Sequence, residues 1–208
     1  MSHIKEIQIA SDHHCFVVDA CVLVDAALAT VLPSPENPRQ EQTKEWWDRI
    51  HALALAGEST IYIPDICIAE AFKVVAKKTW VQELLNHPQK TKVETLLRDW
   101  VTIDTKMLKN PERIVPVHDI STNRDIIISV DRFLKTAMTN GCKSLTVPDL
   151  IVAATAKYLI DFYNFRKEAL HIVTNDQRLA KLIRACEEFM APIEPEKHQP
   201  DKILVSGK

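Results

Sequence analysis

The stretch Phe16–Leu28, with the sequence FVVDACVLVDAAL, indicates the fold of the whole chain. Three apolar residues lead directly into Asp19, and a second apolar run follows at once. An unbroken apolar run of this kind is typical of a strand buried on both faces in a parallel sheet. A buried ionised carboxylate is costly unless something compensates its charge, and open α/β sheets bind ligands at the carboxyl ends of their strands. Asp19 is therefore the first candidate functional residue.

Composition narrows the class of protein. The chain has 208 residues, of which 46% are hydrophobic and 26% charged, as in ordinary soluble globular proteins. It has 3 glycines and neither G-x-G-x-x-G nor G-x-x-x-x-G-K-[ST], so the sequence does not support nucleotide binding by a glycine-rich loop. The net charge of −2 provides no general attraction to nucleic acid, so a polyanion would need a local basic patch or a bound metal.

Cysteine usage and hydropathy indicate the compartment. The 5 cysteines are scattered and include no C-x-x-C pair, which is typical of buried thiols in a reduced protein. The N-terminal segment has no apolar region of the kind found in signal peptides, and Asp19 and Asp25 interrupt the most apolar window, 15–32. We therefore expect a cytoplasmic protein that does not span a membrane.

The hydrophobic pattern predicts alternating strands and helices. Strands are expected at 16–19, 60–63 and 170–173, and helices at 22–31, 41–56, 64–78, 125–138, 147–162 and 177–186. Further expected elements are helical pieces at 81–86 and 92–100 and strands at 101–103 and 203–205. This alternation predicts an α/β domain with a parallel sheet and right-handed crossovers.

Four acids occupy equivalent places in this pattern. Asp19 ends a strand, Glu70 and Asp149 lie early in helices, and Asp176 follows the predicted strand 170–173. Strand-to-helix turns lie on one edge of a parallel sheet, so the four carboxylates can meet there. Clustered carboxylates raise one another's pKa values unless a cation neutralises them, and hard oxygen ligands suit Mg²⁺ or Mn²⁺. Such ions can activate water for in-line attack on a phosphodiester.

Each acid also has a simpler explanation. An aspartate in the first turn of a helix, such as Asp149 or Asp65, commonly interacts with the helix dipole, and Asp176 could be an N-cap. Asp25, six residues after Asp19, is expected to face away from the site or toward solvent. These explanations remain open for single residues, but four acids at equivalent strand ends together favour a metal site.

Four segments carry a family resemblance: VVDACVLVDAAL, IPDICIAEAF, VPDLIVAATA and IVTNDQRLAKL. They resemble the four acidic motifs of PIN domains, which include the VapC-type toxin ribonucleases, and they occur in the family's order over most of 16–183. The resemblance implies a PIN-like three-layer α/β/α domain with a central parallel sheet. It also implies that the metal-binding, catalytic acids are Asp19, Glu70, Asp149 and Asp176.

The resemblance also implies supporting residues and a domain organisation. Thr174 matches a hydroxyl residue that helps hold the site in similar proteins, and Asn175 is a further supporting candidate. Cys21 stands where the family often has Asn or Ser. We expect a single PIN-like domain over 1–186, with helical inserts at about 30–57 and 86–120. Residues 187–208 would form a C-terminal extension, with 203–205 as a candidate edge strand.

The sequence thus predicts a Mg²⁺- or Mn²⁺-dependent ribonuclease that hydrolyses RNA phosphodiester bonds. RNA is the expected substrate, and the resemblance adds an antitoxin protein and a homodimer as expected partners. One alternative is a PIN-like module that binds RNA or protein without cleaving it. Another is a Mg²⁺-dependent phosphatase or phosphotransfer domain in which Asp19 is phosphorylated.

Other residue types are less specific. The dispersed histidines, among them His51, His118 and His171, are best explained as structural. Trp46 and Trp47 could stack on bases, but tryptophan at core spacing in a helix more often packs inside the protein. Basic residues that could line an RNA path are equally well explained as solvated helix faces. These are Lys73, Lys77, Lys78, Arg124, Arg132 and Lys135.

Overall fold

A four-stranded parallel sheet forms the centre of the fold. The computed structural model describes residues 13–33, 37–101, 117–142 and 144–197. The strands are β1 (His14–Val18), β2 (Ser59–Pro64), β3 (Val117–Ile120) and β4 (Leu170–Val173). Their order in the sheet is β3-β2-β1-β4, and each neighbouring pair is parallel. β1 is therefore an inner strand, in agreement with the apolar run that follows its first residue, His14.

Helices flank this sheet. In the described part of the chain they are α1 (Ala20–Val31), α2 (Pro38–Leu55), α3 (Asp65–Trp80), α4 (His87–Val101), α5 (Arg124–Thr139), α6 (Val147–Tyr163) and α7 (Gln177–Arg184), with a short 3₁₀ helix at Lys167–Ala169. The predicted α/β fold with a central parallel sheet is confirmed. No described helix has the length and apolar character needed to cross a membrane.

The segment that indicated the fold lies at the centre of the core. Phe16 is 1% exposed, and its ring packs edge-on against Trp46 of α2 at a centroid distance of 5.8 Å. On the neighbouring strand, the His171 ring stacks on Phe16 at 5.5 Å. Burying one such large apolar side chain contributes about 1.5–3 kcal/mol. Trp47 is buried as well, so packing rather than base stacking explains both tryptophans.

Local capping determines where several helices begin and end. Asn37 caps α2 and accepts a hydrogen bond from the Gln40 N–H, so the helix begins at Pro38, three residues before the predicted start. After α2, Gly57 has a φ of 77°, a left-handed conformation that glycine adopts without strain and that directs the chain into β2. Asp65 opens α3 and accepts a hydrogen bond of 3.1 Å from the Thr122 N–H, which ties α3 to the chain after β3.

Three predictions about elements are wrong, and one strand was not predicted. The predicted helical piece at 81–86 is wrong, because α3 ends at Trp80 and Glu83 has a φ of 54°. Val101 ends α4 and does not begin a strand. Pro64 is the last residue of β2 and not part of the following helix. β3 was not predicted, because its short sequence VHDI is half polar.

A C-terminal segment adds to the sheet beside β4. Ile193 forms a parallel bridge with Val173, donates its N–H to Ile172 O at 2.8 Å, and accepts from the Thr174 N–H at 2.9 Å. The predicted edge strand at 203–205 lies outside the described residues. The division into a domain over 1–186, inserts and an extension stays a prediction.

Candidate carboxylate site

Asp19 is a buried carboxylate held between β1 and β4. It follows β1 directly, occupies the N-cap position of α1 without a capping hydrogen bond from its side chain, and is 4% exposed. Its backbone N–H donates to Val173 O at 3.0 Å. Its side-chain oxygen Oδ2 accepts hydrogen bonds from Thr174 Oγ1 at 2.6 Å and from Cys21 Sγ at 2.9 Å. Burial raises the pKa of Asp19, the two hydrogen bonds oppose this rise, and the charge of Asp149 adds to it.

Asp149 is buried in the first turn of α6. Its Oδ2 accepts from the Thr146 backbone N–H at 2.7 Å and from Thr146 Oγ1 at 2.9 Å, so the two residues form a capping box. Asp149 therefore has a local structural role at the start of α6, in addition to the interaction with the helix dipole that the sequence suggested. Both hydrogen bonds use one oxygen, Oδ2, and the charge of Asp149 still raises the pKa of Asp19.

Asp176 caps α7 and forms an ion pair. Its Oδ1 accepts from the Arg178 N–H at 2.7 Å, and the Arg178 guanidinium contacts both carboxylate oxygens. Burial acts to raise the pKa of Asp176, but the hydrogen bonds and positive charge of Arg178 lower it overall. The N-cap considered from the sequence is present, and it is combined with a cation.

Glu70 is half-buried on α3 and experiences the charges of the other three acids. Burial is the largest cause of its raised pKa, followed by the negative charges of Asp19 and Asp149 and, more weakly, Asp176. Like charges raise a carboxyl pKa in this way only at close range. The fold therefore brings the four acids named from the sequence into one electrostatic neighbourhood.

In the described part of the chain, however, no three His, Cys, Asp or Glu side chains are arranged to hold a metal ion. Two of the four acids have other partners, because Asp149 is bonded to Thr146 and Asp176 to Arg178. Four carboxylates are a donor set that suits a hard cation such as Mg²⁺ or Mn²⁺. The donor chemistry thus fits the expected metal, provided that these two aspartates exchange their present partners for it.

The predicted supporting residues connect the acids to one another. Thr174 is fully buried, and its Oγ1 both donates to Asp19 and accepts from the Asp176 N–H at 2.9 Å. Asn175 is 2% exposed, and its backbone N–H donates to Cys21 Sγ at 3.2 Å. Loop 174–176 is therefore fixed to β1 and α1 through side chains, which limits its freedom to move.

Two further residues border the site. The Asn175 side-chain Nδ2 donates to Thr43 Oγ1 at 2.8 Å and to Asp25 Oδ2 at 3.3 Å. Asp25 also pairs with Arg39 at 3.1 Å, so it supports loop 174–176 from α1 and does not face away from it as expected. Arg178 was missed by the sequence analysis, although a cation two residues after the last acid was visible in TNDQR.

No protein-family model matches the chain, and no curated protein matches it significantly in sequence. Among solved structures, FitAcB from Neisseria gonorrhoeae is similar, with 20% identity, coverage of 86% of this chain and 97% of that chain, and a TM-score of 0.49. VapBC2 from Rickettsia felis, bound to a DNA fragment from its promoter, has 13% identity, coverage of 86% and 96%, and a TM-score of 0.46. PAE2754 from Pyrobaculum aerophilum has 17% identity, coverage of 100% and 97%, and a TM-score of 0.43.

Proposed function

We propose that this chain is a metal-dependent endoribonuclease that hydrolyses RNA phosphodiester bonds. The observation that carries the proposal is a buried Asp19 whose neighbours Asp149 and Glu70 bear the same charge. An arrangement of this kind costs free energy unless a cation compensates it. A divalent ion held by Asp19, Glu70, Asp149 and Asp176 would provide that compensation.

In this proposal the metal ion, the acids and Thr174 would have different roles in the hydrolysis. Bound Mg²⁺ or Mn²⁺ would supply an activated water and neutralise charge on the phosphodiester. Asp19, held by Thr174 and Cys21, has little freedom to rotate and would fix the position of the ion. Because Thr174 Oγ1 also accepts a hydrogen bond from the Asp176 N–H, it would hold the backbone of Asp176 at a fixed position relative to Asp19. RNA would approach the edge of the sheet where the parallel strands end, which is where open α/β sheets bind ligands.

A second candidate is a binding module that holds RNA or protein without cleaving it. One observation favours it, because Arg178 already neutralises Asp176 and no three-residue metal group is formed in the described regions. Measured binding of Mn²⁺ separates the two candidates. A nuclease must bind the ion, whereas a binding module retains RNA binding in EDTA.

A toxin role with an antitoxin partner is a further proposal that rests on the four PIN-like motifs alone. It predicts growth arrest when the chain is expressed, and relief when the neighbouring gene is expressed with it. A homodimer is proposed on the same basis and is tested by light scattering. Unimpaired growth with an active nuclease would contradict the toxin role and leave the nuclease proposal intact.

The test of the nuclease proposal is cleavage of single-stranded and structured RNAs in Mg²⁺, Mn²⁺ or EDTA. The wild type would be compared with Asp19→Asn, which removes the buried charge but little volume. Asp161→Asn makes the same chemical change at an exposed position of α6 and is the matched control. We expect cleavage by the wild type and the control that EDTA abolishes, and loss of at least about 100-fold in Asp19→Asn. Equal cleavage by all three proteins would overturn the proposal.

A further inference from the structure

Arg178 occupies an unusual place for a cation. It is the second residue of α7, and the N-terminus of a helix carries a partial positive charge that disfavours Lys and Arg. Its guanidinium nevertheless remains there, with Nε at 3.1 Å from Asp176 Oδ1 and 3.2 Å from Oδ2. An interaction stronger than the unfavourable helix dipole must therefore hold this side chain at the site.

Asp176 supplies that interaction. The Arg178 guanidinium contacts both carboxylate oxygens of Asp176 and forms an ion pair with it. One further bond directs the guanidinium across the site, because Nη1 donates to Ser144 O at 3.1 Å in the loop before α6. The guanidinium thus spans from α7 to the entry of α6, the two helices that carry Asp176 and Asp149.

We propose that Arg178 is the internal counter-cation of the carboxylate site and competes with the divalent metal for Asp176. This inference rests on the metal site proposed above and adds how that site is regulated. Without metal, the guanidinium neutralises Asp176 and limits repulsion among the acids. To accept a metal ion, Asp176 must break its contacts with the guanidinium. The free energy needed to break them lowers the net affinity for the metal.

The exposure of the Arg178 side chain makes this exchange feasible. It is 48% exposed, so the released guanidinium can turn into water without leaving a buried unpaired charge. Asp176 would retain its capping bonds from the Arg178 and Leu179 backbone N–H groups, which do not depend on the guanidinium. The exchange therefore requires only a side-chain rotation and no unfolding of α7.

The test compares Mn²⁺ binding to the full chain by titration calorimetry, with no RNA present. Arg178→Ala removes the competing cation, and Arg178→Gln removes the charge but keeps a side-chain donor. Lys181→Ala removes the same charge from the next turn of α7 and is the control. We expect both Arg178 variants to bind Mn²⁺ about tenfold more tightly than the wild type, because a charged bidentate pair no longer has to be broken. The Mn²⁺ affinity of the control should stay within about twofold of the wild-type value. Lys181 is exposed, so water and salt screen its charge.

Thermal melts provide a second measurement that does not depend on activity. Arg178→Ala should melt lower than the wild type in EDTA, because its acids lack a counter-cation, and Mn²⁺ should raise its Tm more. Unchanged or weaker Mn²⁺ binding in both Arg178 variants would overturn this proposal while leaving the metal site in place. Absence of Mn²⁺ binding in the wild type and in all variants would overturn both proposals. Binding by the Arg178 variants but not by the wild type would support both.

Discussion

Cys21 Sγ donates a hydrogen bond of 2.9 Å to Oδ2 of Asp19. Burial, followed by the nearby charge of Asp19, raises the pKa of Cys21 well above its ordinary value, so the side chain remains a protonated thiol. A protonated thiol is a donor, and here it orients a buried carboxylate. A soft thiol at this position is therefore compatible with a site for a hard cation, because the thiol contacts the carboxylate and need not contact the ion.

This contact predicts the effects of two substitutions. Cys21→Ser keeps a donor and should retain Mn²⁺ affinity and RNA cleavage within about threefold. Cys21→Ala removes one hydrogen bond to a charged group and should weaken Mn²⁺ binding by roughly tenfold. Calorimetry on both variants tests the prediction, with circular dichroism as a check of folding. An equal loss of Mn²⁺ affinity in both variants would show that the volume of the sulfur atom matters more than the hydrogen bond that the thiol donates.

Glu70→Gln should have opposite effects on two properties: it should slightly stabilise the metal-free protein and weaken the stabilisation by Mn²⁺. The pKa of Glu70 is raised by burial and by the charges of Asp19 and Asp149, so its negative charge is unfavourable in the metal-free protein. In EDTA the variant should melt at or slightly above the wild-type temperature, by about 1–2 °C. Mn²⁺ should then stabilise it far less than the wild type. A lower melting temperature in EDTA would contradict the repulsion inferred for the four acids.

His171 should make stability depend on pH. Burial and the adjacent His14, whose Nδ1 lies 2.9 Å from His171 Nε2, lower the pKa of His171 from 6.5 to about 4. Because the folded state binds this proton less readily than the unfolded state, its contribution is complete above pH 6.5 and is lost as the pH falls toward 4. The full shift corresponds to about 3 kcal/mol.

Urea denaturation of the wild type and His171→Gln at several pH values measures this contribution. Carboxylates also titrate in this range, so the informative quantity is the difference in slope between the two proteins. The wild type should lose more stability between pH 6.5 and 4 than the variant does. If the free energy of unfolding changes with pH in parallel for the two proteins, burial beside His14 does not oppose protonation of His171.

The strands and helices that the sequence predicted best are those whose pattern is unambiguous. Leu170–Val173 is fully buried and apolar except for His171, and it was predicted with its observed ends. Val147–Tyr163 differs from its prediction by one residue. β3 was missed because an edge strand of four residues needs few apolar positions. The first turns of α4 were also missed, although Asn86 and Gln89 cap them with reciprocal hydrogen bonds of 2.9 Å.

At the candidate site, the positions of the acids could be predicted from the sequence better than their side-chain partners. Strand ends in a parallel sheet follow from the sequence pattern, so the neighbourhood of the four acids could be predicted. Side-chain partners could not, because they depend on local competition for each carboxylate oxygen. Thr146 binds Asp149, and Arg178 binds Asp176, through contacts only two or three residues apart in sequence. Both pairs were visible as TVPD and DQR, but a sequence alone does not show which rotamer they stabilise.

The final prediction concerns the C-terminal segment. Glu194 is fully buried, and its carboxylate accepts hydrogen bonds from Gln177 at 2.9 Å and Lys197 at 2.5 Å and pairs with Arg184. These contacts fix the segment to α7, next to the point where Ile193 O accepts the Thr174 N–H. Glu194→Gln removes the charge that holds two cations and should lower the free energy of unfolding by about 1–3 kcal/mol.

The position of Thr174 gives this substitution a second effect. A loosened segment releases the Thr174 backbone, and Thr174 orients Asp19, so Mn²⁺ binding should weaken along with stability. Glu196→Gln is the control, because Glu196 is more exposed, lies 3.8 Å from Arg39, and accepts from Gln177 Nε2 a 2.9 Å hydrogen bond that a glutamine oxygen can also accept. Urea denaturation and calorimetry on both variants test the prediction. If Glu194→Gln and Glu196→Gln behave alike, the buried carboxylate does not anchor the segment to α7.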